Sequence, residues 1–295
     1  MFVPTLLLAS LLLGAAHDDN PILKQLVDAG VPVGSGAPLK LPPPTLPDGL
    51  DAAAQKKAIQ GIADANHPVD ALLRKSIVSP FQLIIRSEGN ATGDVTGKRV
   101  DIWCVVYGDL STITKEGFLE ERFSLGSKGE SNNKPAAKSV ILSAEELKKR
   151  NIQIATAADA KEGFAYASFS LFDRVQISGT GHVYQTRTKT SVLMASLLAP
   201  GFADDADFAN RWAAIDRDKE GNFKVGAPHP YAGYGSYVKV TELIEPSGAL
   251  FVEYHLVFDE PKAWFSGANL LRSKLPLMVQ DNIRKFRREV ASEAH

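Results

Sequence analysis

The residues best placed for chemistry lie in ALFVEYHLVFDEPKAW, residues 249–264. Apolar side chains at 250, 252, 254, 256 and 258 predict a β-strand with one continuous apolar face. Glu253 and His255 share the other face with Ala249, Phe251 and Val257, their side chains about 7 Å apart by strand geometry. A carboxylate beside an imidazole can fix its tautomer or raise its pKa for general-base work. The same pair can instead meet water, or supply polar anchors in an otherwise apolar cavity. No nucleophile motif accompanies the pair, since G-x-S-x-G is absent. The pattern therefore points to binding rather than catalysis, with a hydrolase built on His255 as the alternative.

Other candidate groups carry less. His182, His229 and His255, taken with Glu253, have spacings that match no metal signature, so no metal is expected. The stretch GAPHPYAGYGS, residues 226–236, holds enough glycine to approach a ligand closely. It does not extend to G-x-G-x-x-G, and a strand follows where a phosphate loop requires a helix. No cofactor is expected. Arg272, Lys274, Arg284, Lys285, Arg287 and Arg288 concentrate positive charge near the C-terminus. Such a face can meet an anionic membrane surface at about 1 kcal/mol per cation close in, or simply be solvated.

These groups must be positioned by a chain of 295 residues, 44% hydrophobic, with 33 basic and 34 acidic side chains. That length supports one large core or two modest ones. The charge balance gives no reason to expect a nucleic-acid partner. One cysteine, Cys104, excludes an intrachain disulfide framework; its apolar surroundings predict a buried, unreactive thiol. Within residues 1–16, MFVPTLLLASLLLGAA, the apolar run at 6–13 has the length of a secretory h-region, and Gly14, Ala15 and Ala16 follow it, although Lys and Arg are missing from the n-region. Together they predict a signal peptide cleaved near Ala16 and an exported protein, periplasmic or extracellular or retained at the envelope.

Residues 17–50 are punctuated by seven prolines and predict an extended linker or tether, with a short amphipathic piece at 22–29. Residues 51–78 predict a helical lead-in: an Ala-rich helix to about Ala65, then a second opened by Pro68. From residue 79 the chain reads as strands and turns. The run 124–138 predicts a mobile surface loop, and Ser143 with Glu146 a helix-opening capping box. Ser178-Gly179-Thr180-Gly181 reads as a hairpin turn. Residues 205–214 predict a short helix carrying Phe208 and Trp212 on one face. Pro246-Ser247-Gly248 predicts a turn before the strand at 249. Val279, Ile283, Phe286 and Val290 form one apolar stripe on a helix expected over 275–292.

Many antiparallel strands, with helices at the ends, define an α+β class. An amphipathic last helix after two hairpin strands needs a broad sheet to bury its stripe. GSYVKVTELIEPSGALFVEYHLVFDEPKAWF followed by that helix resembles the closing segment of START-type, helix-grip (SRPBCC-like) lipid-binding domains. The resemblance implies that residues 79–295 form a curved antiparallel sheet packed against a long C-terminal helix. It also implies a hydrophobic space between the two that takes an apolar or amphipathic small molecule, a lipid among them. Glu253, His255, Phe251, Tyr237, Trp264 and Phe286 are the expected ligand-binding residues. An envelope structural or interaction module with a filled core is the alternative from a different class.

Overall fold

The computed structural model describes residues 17–34, 36–88, 95–115, 118–119, 137–154, 160–265 and 269–292. Within them, eleven strands form one antiparallel sheet. These are β1 (Gln82–Glu88), β2 (Val95–Tyr107), β3 (Lys138–Ile141), β4 (Ala160–Leu171), β5 (Val175–Arg187) and β6 (Ser191–Leu198). β7 (Arg211–Arg217), β8 (Phe223–Val225), β9 (His229–Pro230), β10 (Tyr234–Glu242) and β11 (Ala249–Pro261) complete it. The spatial order is β1-β2-β11-β10-β6-β5-β4-β3, and β7 branches from β5 to pair with β8 and β9. The helices are α1 (Pro21–Lys24), α2 (Ala52–Ile62), α3 (Val69–Leu72), α4 (Leu110–Ile113), α5 (Ala144–Lys149) and α6 (Leu270–Ser292). The expected α+β class is met: a curved antiparallel sheet packs against a long C-terminal helix.

Strand alternation sends successive side chains to opposite faces of the sheet, and both faces are covered. On one face, Val100, Cys104 and Val106 of β2 and Leu250 and Val252 of β11 pack with Val238 and Val240 of β10. Against them lie Leu271, Leu275, Val279, Ile283, Phe286 and Val290, all buried. The expected stripe is thus the buried face of α6, and full burial of each such side chain is worth about 1.5–3 kcal/mol. The helix starts at Leu270, earlier than expected, and includes Pro276. Proline has no N–H, so the helical bond at that position is missing. Cys104 is buried here, and burial pushes its thiol up to about 11.

The opposite face is covered by the N-terminal arm, residues 17–50. Ile22, Leu23, Leu26, Val31, Val33, Leu39 and Leu41 pack on Leu193, Ala195, Tyr237 and Val257. Leu46 joins Ile59 and Leu72 from α2 and α3 over Trp103, Val105 and Phe251. After its helical start at residues 21–29 the arm is extended, as its prolines require, but it is a packed layer and not a free tether. Extended Pro-rich backbone carries fewer N–H donors that must find partners, so it can lie on a sheet without joining its ladder. Glycine makes room underneath: a Cβ at Gly97 would collide with Leu39, and one at Gly235 with Leu26 and Val31.

Several local expectations hold. Ser143 caps α5 by accepting from the Glu146 N–H, and Asp51 caps α2 by accepting from that of Ala54. Leu243 and Ala249 are joined across the 246–248 turn, where Gly248 adopts φ +72°. Two expectations fail. β5 runs unbroken through residues 178–181, each paired with β4, and the reversal lies instead at Phe172 and Asp173, both at positive φ. Residues 205–214 are not a helix: Trp212 lies on β7 opposite Ile177. Asp205 accepts from the Asp207 and Phe208 N–H groups and from Arg150, fixing a turn where the helix was expected. The expectations for 1–16 and for most of 124–138 lie outside the described residues.

Arg287, expected on an exposed cationic face, is buried. Its guanidinium donates to four backbone carbonyls: Val105 on β2 at 2.9 Å, then Ile77, Ser79 and Pro80 of the lead-in to β1. Burial lowers its pKa, Arg284 adding to that effect. This one side chain ties α6, β2 and the 77–80 segment together. Arg287→Ala leaves four carbonyls short of donors and is expected to cost about 3 kcal/mol or more. Arg287→Lys, with one ammonium in place of the fork, should restore only part. Urea unfolding of the three proteins measures both.

Candidate functional site

Register alone assembles the charged residues of the arm-covered face. His255 stands opposite Asp101 on β2 and Tyr237 on β10, while Glu253 stands opposite Trp103 and Lys239. All of these are buried, and Glu253 and His255 expose none of their surface. His255 Nδ1 lies 2.8 Å from Asp101 Oδ1, and Nε2 lies 3.4 Å from Glu253 Oε2. Arg86 and Arg99 donate to the other Asp101 oxygen at 2.5 and 3.1 Å. The arm completes this network with its backbone. Thr45 N–H donates to Glu253 Oε2 at 2.7 Å, and the Trp103 indole donates to Thr45 Oγ1. Lys239 donates to the Leu46 carbonyl at 2.7 Å, and the Tyr237 hydroxyl to that of Pro42 at 2.9 Å.

A second polar knot holds the start of the arm. The His17 ring nitrogens lie 2.8 Å from Thr186 Oγ1 and 2.7 Å from Ser191 Oγ. Ser191 donates to Asp48 at 2.6 Å, and Asp48 also meets Lys239 at 3.2 Å. Sequence reading missed this knot, because His17 and Asp48 sit in a segment whose prolines suggest a linker.

Burial is the largest single influence on both members of the His255–Asp101 pair, but their mutual hydrogen bond and the neighbouring charges together outweigh it. The imidazole is raised, with Glu253 adding to the rise. The Asp101 carboxyl is lowered, with Arg99 and Arg86 adding to the fall. This group orients and neutralises itself. With the arm docked, no substrate reaches His255.

The six expected ligand-binding residues therefore divide between two faces. Glu253, His255, Phe251 and Tyr237 lie under the arm, away from α6. Trp264 and Phe286 lie on the α6 side, buried among aromatic and aliphatic core residues. A ligand between sheet and helix cannot use Glu253 or His255 as its anchor. Parity explains the division, since Leu250 and Val252 face α6 and their odd-numbered neighbours must face away. His182 bonds Glu162 and stacks on Phe164, while His229 stacks on Trp212. Among the described residues, no group of three or more His, Cys, Asp or Glu side chains is placed to hold a metal ion.

A cleft of about 460 Å³ opens elsewhere, where α6 meets the lead-in and first residues of β1. Val78, Phe81, Leu83, Pro276 and Ile283 form its apolar walls. Arg284, Gln280, Gln82 and His67 supply polar atoms. The volume falls in the range of small-molecule sites, roughly 300–1,000 Å³. Nothing in the sequence marks the cleft, because its walls come from segments some two hundred positions apart.

The fold and cleft define an α+β domain with a sheet gripped by its last helix and an opening at one edge of that contact. No family model matches the chain, and no curated protein matches its sequence. Among solved structures, the human StarD13 (DLC2) lipid transfer and protein localization domain aligns with 79% of this chain and 92% of that one. The identity is 10% and the TM-score 0.33, a likeness too slight to carry an argument.

The raised His255 pKa stabilises the fold fully below the ordinary histidine value of 6.5, and this contribution is lost as pH rises through the folded-state value. His255→Asn should remove that part of the decline in urea midpoint between pH 6.5 and pH 9. Asp259 on β11 behaves in the opposite sense for a carboxylate. Burial raises it from 3.8 to about 6, and its Oδ1 has no hydrogen-bond partner. Its protonated form is favoured by folding, so stability falls as pH rises from 3.8 to 6. Asp259→Asn is expected to stabilise the protein above pH 6, by up to about 3 kcal/mol, and to change little at pH 3.5. Thermal melts at the two pH values test this.

Proposed function

We propose that the chain is an exported, non-enzymatic domain that binds an apolar or amphipathic small molecule, a lipid among the candidates. The observation that carries the reading is the cleft between α6 and β1, with its volume, apolar walls and few polar groups. The ligand's apolar part lies against Phe81, Leu83 and Ile283, and its polar end toward Arg284 and Gln280. The burial of His255 between two carboxylates supports binding over catalysis. Export rests on the apolar run at residues 6–13 and the small residues that follow it. The exposed surface of α6 carries Leu277 and Met278 among Arg272, Lys274, Lys285 and Arg288, which suits collection or delivery of a lipid at an anionic membrane surface.

A second reading has its own support. Both sheet faces are packed, and large apolar residues are left exposed before β1, at Ile77 and Val78, and on α6, at Leu277 and Met278. That pattern fits an envelope interaction module using this surface for a protein partner.

Nile red, an uncharged apolar dye, separates the two. Saturable fluorescence enhancement is expected with the full chain and should be lost in Val78→Trp, which fills the cleft from its exposed rim. An unchanged melting temperature in that variant shows that only the cleft was altered. Absence of saturable binding, or binding indifferent to Val78→Trp, favours the interaction module.

A further inference from the structure

The charge of the cleft is one-sided. Arg284 and Arg287 are the two permanently ionised groups among its lining, and both are positive. Arg287 spends its donors on four neutral carbonyls, and no carboxylate of the described residues pairs with it. Arg284 lies at intermediate exposure, and among the described residues no carboxylate pairs with it. Asp64 touches two lining side chains and is already engaged by Gln82 Nε2 at 2.9 Å, by His67 Nδ1 at 3.1 Å and by two backbone N–H groups. Asp281 is exposed, outside the lining, one helical turn before Arg284.

Two guanidiniums over apolar walls form a site that attracts an anion while rejecting its hydration. A planar guanidinium also presents paired donors matching the two oxygens of a carboxylate. Resting on the cleft reading above, we infer that the ligand is a single-chain amphiphile with an anionic head, a fatty carboxylate in the simplest case. Arg284 receives the head, and the chain runs along Phe81, Leu83 and Ile283. The volume suits one acyl chain rather than a two-chain lipid. A cationic amphiphile is excluded by the same pair of charges.

Calorimetric titration of the full chain with dodecanoate, dodecanol and dodecyltrimethylammonium, each below its micellar concentration, tests this. Dodecanoate should bind at least tenfold more tightly than dodecanol, and the cationic compound should not bind. Arg284→Gln should reduce dodecanoate to the affinity of dodecanol while leaving dodecanol affinity and melting temperature unchanged. Equal binding of dodecanoate and dodecanol, or indifference of dodecanoate to Arg284→Gln, overturns the anionic head and leaves the cleft reading standing. If neither dodecanoate nor dodecanol binds, both are overturned.

Discussion

The structure depends on one constraint: β2, β10 and β11 carry Asp101, Lys239, Glu253 and His255 on a face that water does not reach. Charged groups removed from water must find partners or lose their charge. Part of the answer is internal, since His255 bridges Asp101 and Glu253, and Arg86 and Arg99 lie beside Asp101. The remainder comes from the arm, which offers the Thr45 N–H, the Leu46 and Pro42 carbonyls and the Asp48 carboxylate. The arm is therefore integral to the domain. Its leucines supply burial, while its backbone supplies the hydrogen bonds that make the buried charges tolerable. Of these four side chains, Glu253 keeps one oxygen, Oε1, without a hydrogen-bond partner among the described residues.

The other face is organised by different means. There the sheet is apolar and α6 is held by its stripe, with Arg287 as the polar exception. An arginine bound only by carbonyls is a geometric device rather than an ion pair: its fork sets the distance and angle between α6, β2 and the segment before β1. That segment is consequently kept beside the helix, and the cleft lies in the gap next to it. Pro276 contributes by presenting its ring to the cleft in place of a helical hydrogen-bond donor.

Much of this architecture could be read from the residues. Alternation gave the strand at 249 and its two faces, and the spacing of Val279, Ile283, Phe286 and Val290 gave the helix and its buried side. The cap at Ser143 was visible because N-capping depends on a few adjacent residues. What could not be read was the neighbour of each face. Glu253 and His255 were placed correctly on one strand face, but the covering of that face depends on contacts with residues 17–50, about two hundred positions away. Proline-rich composition signals extended backbone without saying whether a surface awaits it. Gly179 and Gly181 misled for a related reason. They sit beneath Leu198 and Ser196, where a Cβ would collide, so they serve close packing within a continuous strand and not a turn.

The arm's partners also carry a consequence for assembly. Thr45 waits for Glu253 and Leu46 for Lys239, so this segment docks on strands made about two hundred residues after it. Such distant pairings close long loops and form late. Until β10 and β11 are laid down, Pro42, Thr45 and Leu46 lack the side chains they bond, and the charged row has no lid. The cover of this face is thus synthesised well before the strands it covers, and it settles fully only once β11 is in place.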